Sequence, residues 1–105
     1  MLYLIAYDLN MEGQNYRAVT QAIASLAESE DDCCRIQQSV WIVRSNKLSE
    51  NAVLERLRPA MDNNDHCFIT KLSRYSEWMM EPETESQIRR MLKRDDVSKA
   101  TPFVL

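Results

Sequence analysis

The sequence predicts an α+β domain, and three observations carry the prediction. Four short stretches are dense in aliphatic, aromatic and β-branched residues: Leu2–Tyr7, two within Cys33–Ser45, and Cys67–Leu72. Two intervening stretches place apolar residues at helical spacing instead. The order is strand, helix, strand, strand, helix, strand, with a hairpin in the middle.

The first strand runs from Leu2 to Tyr7 and stops at a carboxylate, Asp8. Asp is a poor strand former and is costly to bury unpaired, so Asp8 is expected at the strand's carboxyl end, near solvent, a helix N-terminus or a metal. Side chains at such ends are held by a rigid scaffold and commonly carry function. A plainer role, capping the turn through the Asn10–Gly13 backbone, stays open at this point. Glu12–Asn15 reads as a turn, with Asn15 as a helix cap. Residues 16–28 then set Val19, Ala22, Ile23 and Leu26 on one face of a helix, a core stripe rather than a cofactor box. The acidic segment Glu28–Asp32 ends it.

Cys33–Ser45 is too long for one ordinary strand of about five or six residues. It divides into two strands with a bend or bulge near Gln38–Ser39. The second, Val40–Arg44, is expected at the centre of the sheet, with Trp41 and Val43 serving the core. Ser49 is a good N-cap for the second helix, with Glu50 favourable in its first turn. Val53, Leu54, Leu57 and Met61 lie on one face, and Pro59 ends or kinks the helix. Asp62–Asp65 is a turn, and Cys67–Leu72 is the fourth strand.

A βαββαβ order is the ferredoxin-like arrangement, and right-handed crossovers put both helices on one face of a four-stranded antiparallel sheet. The opposite face is then open and apolar, and it calls for a partner, either a second copy or the C-terminal tail. The core is expected over residues 1–73, and residues 74–105 form an extension that packs on the core or on the dimer partner. In that extension Tyr75, Trp78, Met79 and Met80 form an apolar cluster suited to packing or dimer contact. A helix is expected from Pro82–Glu83, acidic first and then basic, with Ile88, Met91 and Leu92 on its apolar side.

The chain has 105 residues, which suits one domain. No apolar run approaches the ~20 residues of a membrane span. The apolar start has no basic region before it and ends at a carboxylate, unlike a signal peptide. A cytoplasmic protein without a membrane partner is therefore expected. The three cysteines, Cys33, Cys34 and Cys67, are odd in number and lack CxxC spacing. Packed, reduced thiols are expected, neither a zinc site nor a disulfide framework. The single histidine, His66, is expected on the surface or at a strand edge. The net charge of −3 argues against a dedicated nucleic-acid binder with a basic field. Charge is uneven, however. Arg89, Arg90, Lys93 and Arg94 share the last helix, and Glu28, Glu30, Asp31 and Asp32 form an acidic loop.

Three sequence features together resemble CRISPR-associated protein 2. They are Tyr7-Asp8-Leu9 closing the first strand, Arg17 at the start of the first helix, and Arg35-Ile-Gln-Gln-Ser-Val-Trp41 at the central hairpin. The same superfamily includes virulence-associated protein D, a toxin-type ribonuclease. The resemblance covers roughly residues 1–75. It implies a ferredoxin-like fold and a homodimer in which sheets pack together and C-terminal segments can cross between subunits. By the resemblance, Asp8 matches a strand-end aspartate that faces its twin across the dimer and is assigned to divalent metal binding in members with nuclease activity; Mg²⁺ or Mn²⁺, which prefer oxygen ligands, are the ions expected here. Ser39 matches the hairpin serine, Trp41 the usual aromatic, and Arg17 a position that faces nucleic acid. The chain departs from the pattern in carrying Arg17 alone after the aspartate turn, in its negative charge, and in its longer tail.

Two functions follow as expectations. One is a homodimeric scaffold, with Asp8 structural, that bridges RNA or DNA or a protein such as an integrase in antiviral defence. The other is a toxin-like, metal-dependent endoribonuclease encoded with an antitoxin, in which paired Asp8 carboxylates hold the metal. One carboxylate per chain is a thin catalytic inventory, and no base beside it is evident in the sequence.

Overall fold

The computed structural model describes residues 1–9, 16–45, 48–72, 75–76, 79–94 and 98–99. Its elements in chain order are β1 (Leu2–Asp8), α1 (Tyr16–Leu26), β2 (Cys33–Gln37), β3 (Val40–Arg44), α2 (Glu50–Leu57), β4 (His66–Lys71), β5 (Tyr75–Ser76), α3 (Pro82–Arg94) and β6 (Ser98–Lys99). Four strands form one sheet in the order β2-β3-β1-β4, antiparallel at each junction. β5 and β6 form a separate parallel pair. The architecture is α+β, as expected. The expected turn over 12–15 with its Asn15 cap, and the contact of Asp8 with Asn10–Gly13, lie outside the described residues.

Alternation along β1 sorts the sheet into two faces. Tyr3, Ile5 and Tyr7 point one way and join Val19, Ile23 and Leu26 of α1, Val53 and Leu57 of α2, and Val43 of β3 in the main core. Both helices therefore cover one face. Tyr3 is wholly buried, and its hydroxyl donates to the Leu48 carbonyl ahead of α2. A buried phenol needs such a partner, and this one ties β1 to the entry of α2. Ser49 caps α2 through its side chain, which accepts from the Ala52 N–H at 3.1 Å. The helix stops at Leu57, and a 3-10 turn over Arg58–Ala60 accommodates Pro59. Met61 is only partly buried, beyond the helix.

The second face is not left bare. Leu2, Cys34 and Ile42 are covered by Ile88, Met91 and Leu92 of α3. The Gln87 side chain donates to the Cys33 carbonyl at 3.0 Å and fixes the helix against β2. The C-terminal tail is thus the partner of this half of the sheet. The rest of the face, Leu4, Ala6, Val40 and Phe68, has no described element packed on it in either core cluster.

Two sequence expectations need correction, and Asp32 differs from its acidic neighbours in being buried. It is 3% exposed, accepts from the Ser29 hydroxyl at 3.1 Å and lies 3.5 Å from the Arg44 guanidinium. Burial of a carboxylate is tolerated there because a cation and a donor replace its water. Trp41 is half-buried rather than fully buried, whereas Val43 is in the core. The cluster around Met79 and Met80 is divided: Met80 packs beside α3, and Met79 is 98% exposed. The side chains of Tyr75, Trp78 and Arg94 lie outside the described set.

The cysteines are free, with Cys34 buried and Cys33 and Cys67 half-buried. Burial raises all three thiols, and the neighbouring Cys34 adds to the effect at Cys33, pushed up to about 11 from an ordinary 9.0. The native state therefore holds thiol protons that the unfolded chain releases. Stability from this source is complete below the ordinary thiol range and is lost as pH rises through 9 towards 11. Urea midpoints should fall over that window, and Cys33→Ser should flatten the fall. A flat profile in the wild-type chain would contradict the burial of these thiols.

Candidate functional site

The carboxyl end of β1 gathers the residues singled out in the sequence. Asp8 is the last residue of β1 and is exposed. In register, Ala6 lies opposite Phe68 and Asp8 opposite His66 on β4. Directly paired residues share a face, with Cβ atoms about 5 Å apart. Asp8, His66, Ala6 and Phe68 therefore lie on the sheet face away from α1 and α2. A groove of about 430 Å³ opens here, lined by Ala6, Tyr7, Asp8, His66, Cys67 and Phe68. Phe68 is 65% exposed, unusual for a large aromatic on a strand.

The hairpin between β2 and β3 closes the other side of this end. The Tyr7 N–H donates to the Ser39 carbonyl at 3.1 Å, which sets Ser39 beside the last turn of β1. Ser39 is half-buried, and its tie to β1 runs through the backbone. α1 leaves from the same end, because it returns the chain to Cys33, which registers with Val43, the partner of Tyr3. Arg17, in the first turn of α1, is exposed. The sheet topology thus brings Asp8, Ser39 and the start of α1 to one end of the domain.

A second constellation stands on the hairpin. Arg35 and Trp41 are direct partners across β2 and β3, where the ladder is shifted by a bulge between Arg35 and Gln37. The Arg35 guanidinium lies 5.3 Å from the centre of the Trp41 ring. Its Nε and Nη2 both donate to the Gln38 carbonyl, at 3.0 and 2.7 Å. The Trp41 indole N–H donates to the Tyr7 hydroxyl at 3.3 Å. Tyr7 thus links this pair to β1 on the face that α1 and α2 cover, opposite to the face that carries Asp8.

Sequence reasoning missed two features here. His66 belongs to β4 and faces Asp8. The strand therefore starts one residue earlier than its apolar run indicates. Arg35 was singled out only as part of a hairpin motif, because its pairing with Trp41 depends on the bulge. Among the described residues no group of three or more His, Cys, Asp or Glu is placed to hold a metal ion. One chain offers Asp8 as an oxygen donor and His66 as a nitrogen donor, and Mg²⁺ commonly completes its six ligands with water.

No protein-family model matches the chain, and no curated protein matches it. Among the described residues no helix is long and apolar enough to cross a membrane.

Proposed function

We propose that the chain is a homodimeric scaffold of ferredoxin-like fold, similar to CRISPR-associated protein 2, that contacts nucleic acid or an integrase-type partner protein. The strand order supports the fold: β1 and β2 run parallel with β3 between them, and β3 and β4 run parallel with β1 between them, a split βαβ arrangement. The observation that carries the dimer is the bare half of the second sheet face. Leu4, Ala6, Val40 and the exposed Phe68 make an apolar strip, and Asp8 and His66 stand at its rim. A two-fold copy suits this patch. It would lay apolar strip on apolar strip and meet an acid with an imidazole at each rim. Stable interfaces bury upwards of ~1,200 Å², so the partner would extend beyond the strip to the neighbouring strand edge.

The exposed Asp8 also supports a second reading, the toxin-like endoribonuclease. In that reading two Asp8 carboxylates come together and hold Mg²⁺ or Mn²⁺, which would polarise a phosphate. Asp8 would bind and orient the ion, and the apolar strip would bring the two chains into position. Titrating Mg²⁺ and Mn²⁺ against wild type and Asp8→Asn, with a single-stranded RNA cleavage assay on both, separates the readings. The scaffold gives melting temperatures that either metal barely moves and no cleavage. The endoribonuclease gives about 2.7 kcal/mol of stabilisation at a hundredfold excess over the dissociation constant. It also gives cleavage, and Asp8→Asn abolishes both. Cleavage that survives Asp8→Asn refutes the role of this residue in either case.

A further inference from the structure

We propose that Asp8 and His66 form a cross-strand clamp for a late first-row divalent cation of the Co²⁺, Ni²⁺ and Zn²⁺ class, in preference to Mg²⁺ or Mn²⁺. The inference deepens the metal-binding reading by naming the ion class. It rests on that reading only for Asp8 as a ligand, and on neither the dimer nor cleavage.

The register supplies the geometry. Asp8 and His66 are direct partners across β1 and β4. Partners in a ladder share a face, with Cβ atoms about 5 Å apart. Two donors that each sit ~2.1 Å from one ion lie about 3–3.4 Å from each other. A carboxylate and an imidazole can close to that separation from such a spacing. Both side chains are exposed, so an ion held between them keeps water on its remaining sides. Among the described residues neither side chain makes a hydrogen bond or an ion pair, so both donors are available. No lysine or arginine lines the groove around them to compete for the carboxylate.

The donor set selects the ion. Carboxylate and water alone suit Mg²⁺ or Mn²⁺. An imidazole nitrogen moves the preference along the series towards Ni²⁺ and Zn²⁺. No thiol joins the set. Cys67 borders the groove but pairs with Tyr7, on the face that α1 and α2 cover. Burial also raises its thiol, which opposes the thiolate form a metal takes. Asp65, one residue before His66, accepts from the Asp62 N–H at 2.7 Å and is held in the turn ahead of β4. The protein thus supplies two donors and solvent the rest, which makes the ion exchangeable and leaves it open to a further ligand.

The test reads His66 directly. It is the only histidine in the chain, so its ring-proton NMR signals need no further assignment. Untagged protein is titrated separately with Zn²⁺, Ni²⁺ and Mg²⁺, and calorimetry gives each dissociation constant. Zn²⁺ should shift the ring signals, paramagnetic Ni²⁺ should broaden them, and Mg²⁺ at the same concentration should leave them in place. Even outer-shell partners of a bound metal are worth about 10–100-fold in affinity, so His66→Gln should weaken Zn²⁺ and Ni²⁺ by about ten-fold or more. The same variant should leave Mg²⁺ unchanged. Asp8→Asn should weaken all three ions, and Cys67→Ser should bind Zn²⁺ as wild type does. Circular dichroism melts in chelator identify any variant that has lost its fold, and the wild-type ring signals read the site with no substitution at all. Wild-type Zn²⁺ affinity in folded His66→Gln overturns the clamp and leaves Asp8 to hold a hard ion. Ring signals that move as far in Mg²⁺ as in Zn²⁺ overturn the ion preference. Zn²⁺ that binds while the ring signals stay in place overturns the clamp, and loss of that binding in Cys67→Ser assigns the ion to the thiol. Wild-type protein that binds none of the three ions overturns the clamp and the metal-dependent reading together.

Discussion

Phe68→Asp is expected to convert the proposed dimer into a folded monomer. Phe68 is the exposed large aromatic on the bare half of the sheet, paired across from Ala6 and adjacent to the groove at Asp8. Aromatic residues at the centre of an interface commonly contribute 2 kcal/mol or more on truncation, roughly thirty-fold in dissociation constant. A carboxylate there does worse than truncation, because two-fold symmetry brings two of them into one apolar contact. Light scattering at micromolar concentration should give twice the chain mass for wild type and the chain mass for Phe68→Asp. The monomer's own core does not use this side chain, so the melting profile extrapolated to low concentration should match wild type. A wild-type chain that is monomeric under these conditions refutes the dimer, and with it the paired Asp8 site.

The second large effect is expected from Met91→Ala. Met91 is wholly buried between α3 and the Leu2, Cys34 and Ile42 side of the sheet. Removing a buried methionine side chain leaves a cavity and costs about 2–5 kcal/mol, a large share of the stability of a small domain. Urea denaturation should show the midpoint falling with little change in slope. Met79→Ala, which truncates a side chain that is 98% exposed, should leave the midpoint in place. Equal midpoints for Met91→Ala and wild type would mean that α3 does not stay docked on the sheet in solution.

The elements themselves were legible because their periodicities are clean. Leu2–Tyr7 and Val40–Arg44 are short apolar runs, and Val19, Ile23 and Leu26 mark one helix face, so β1, β3 and α1 fell where the pattern placed them. Ser49 and Pro59 bounded α2 through local chemistry alone. Long-range pairing was less legible. That Asp32 meets Arg44 depends on where the 3-10 turn over Glu30–Asp32 lands on the sheet, which no local pattern specifies. The covering of Leu2 and Ile42 by α3 likewise depends on how the tail returns over the second face. The site was half legible: Asp8 stood out as a carboxylate closing an apolar strand. His66 did not, because only the register of β1 against β4 brings it opposite Asp8.

The bulge in β2 decides which chemistry each side of the molecule receives. From the hairpin tip, Gln37 pairs with Val40, and an unbroken ladder would continue with Ile36 opposite Trp41, Arg35 opposite Ile42 and Cys34 opposite Val43. The observed pairs are Arg35 with Trp41 and Cys34 with Ile42. One extra residue has inverted the parity of the strand beyond it. In the unbroken frame a guanidinium would be driven beneath α3, among Leu2, Ile88 and Met91. The inserted residue therefore acts as a sorting step. It sends a small apolar thiol beneath α3 and a cation to the exposed margin of the face that α1 and α2 cover, so the same residue spacing that seals one interior also exports a charge.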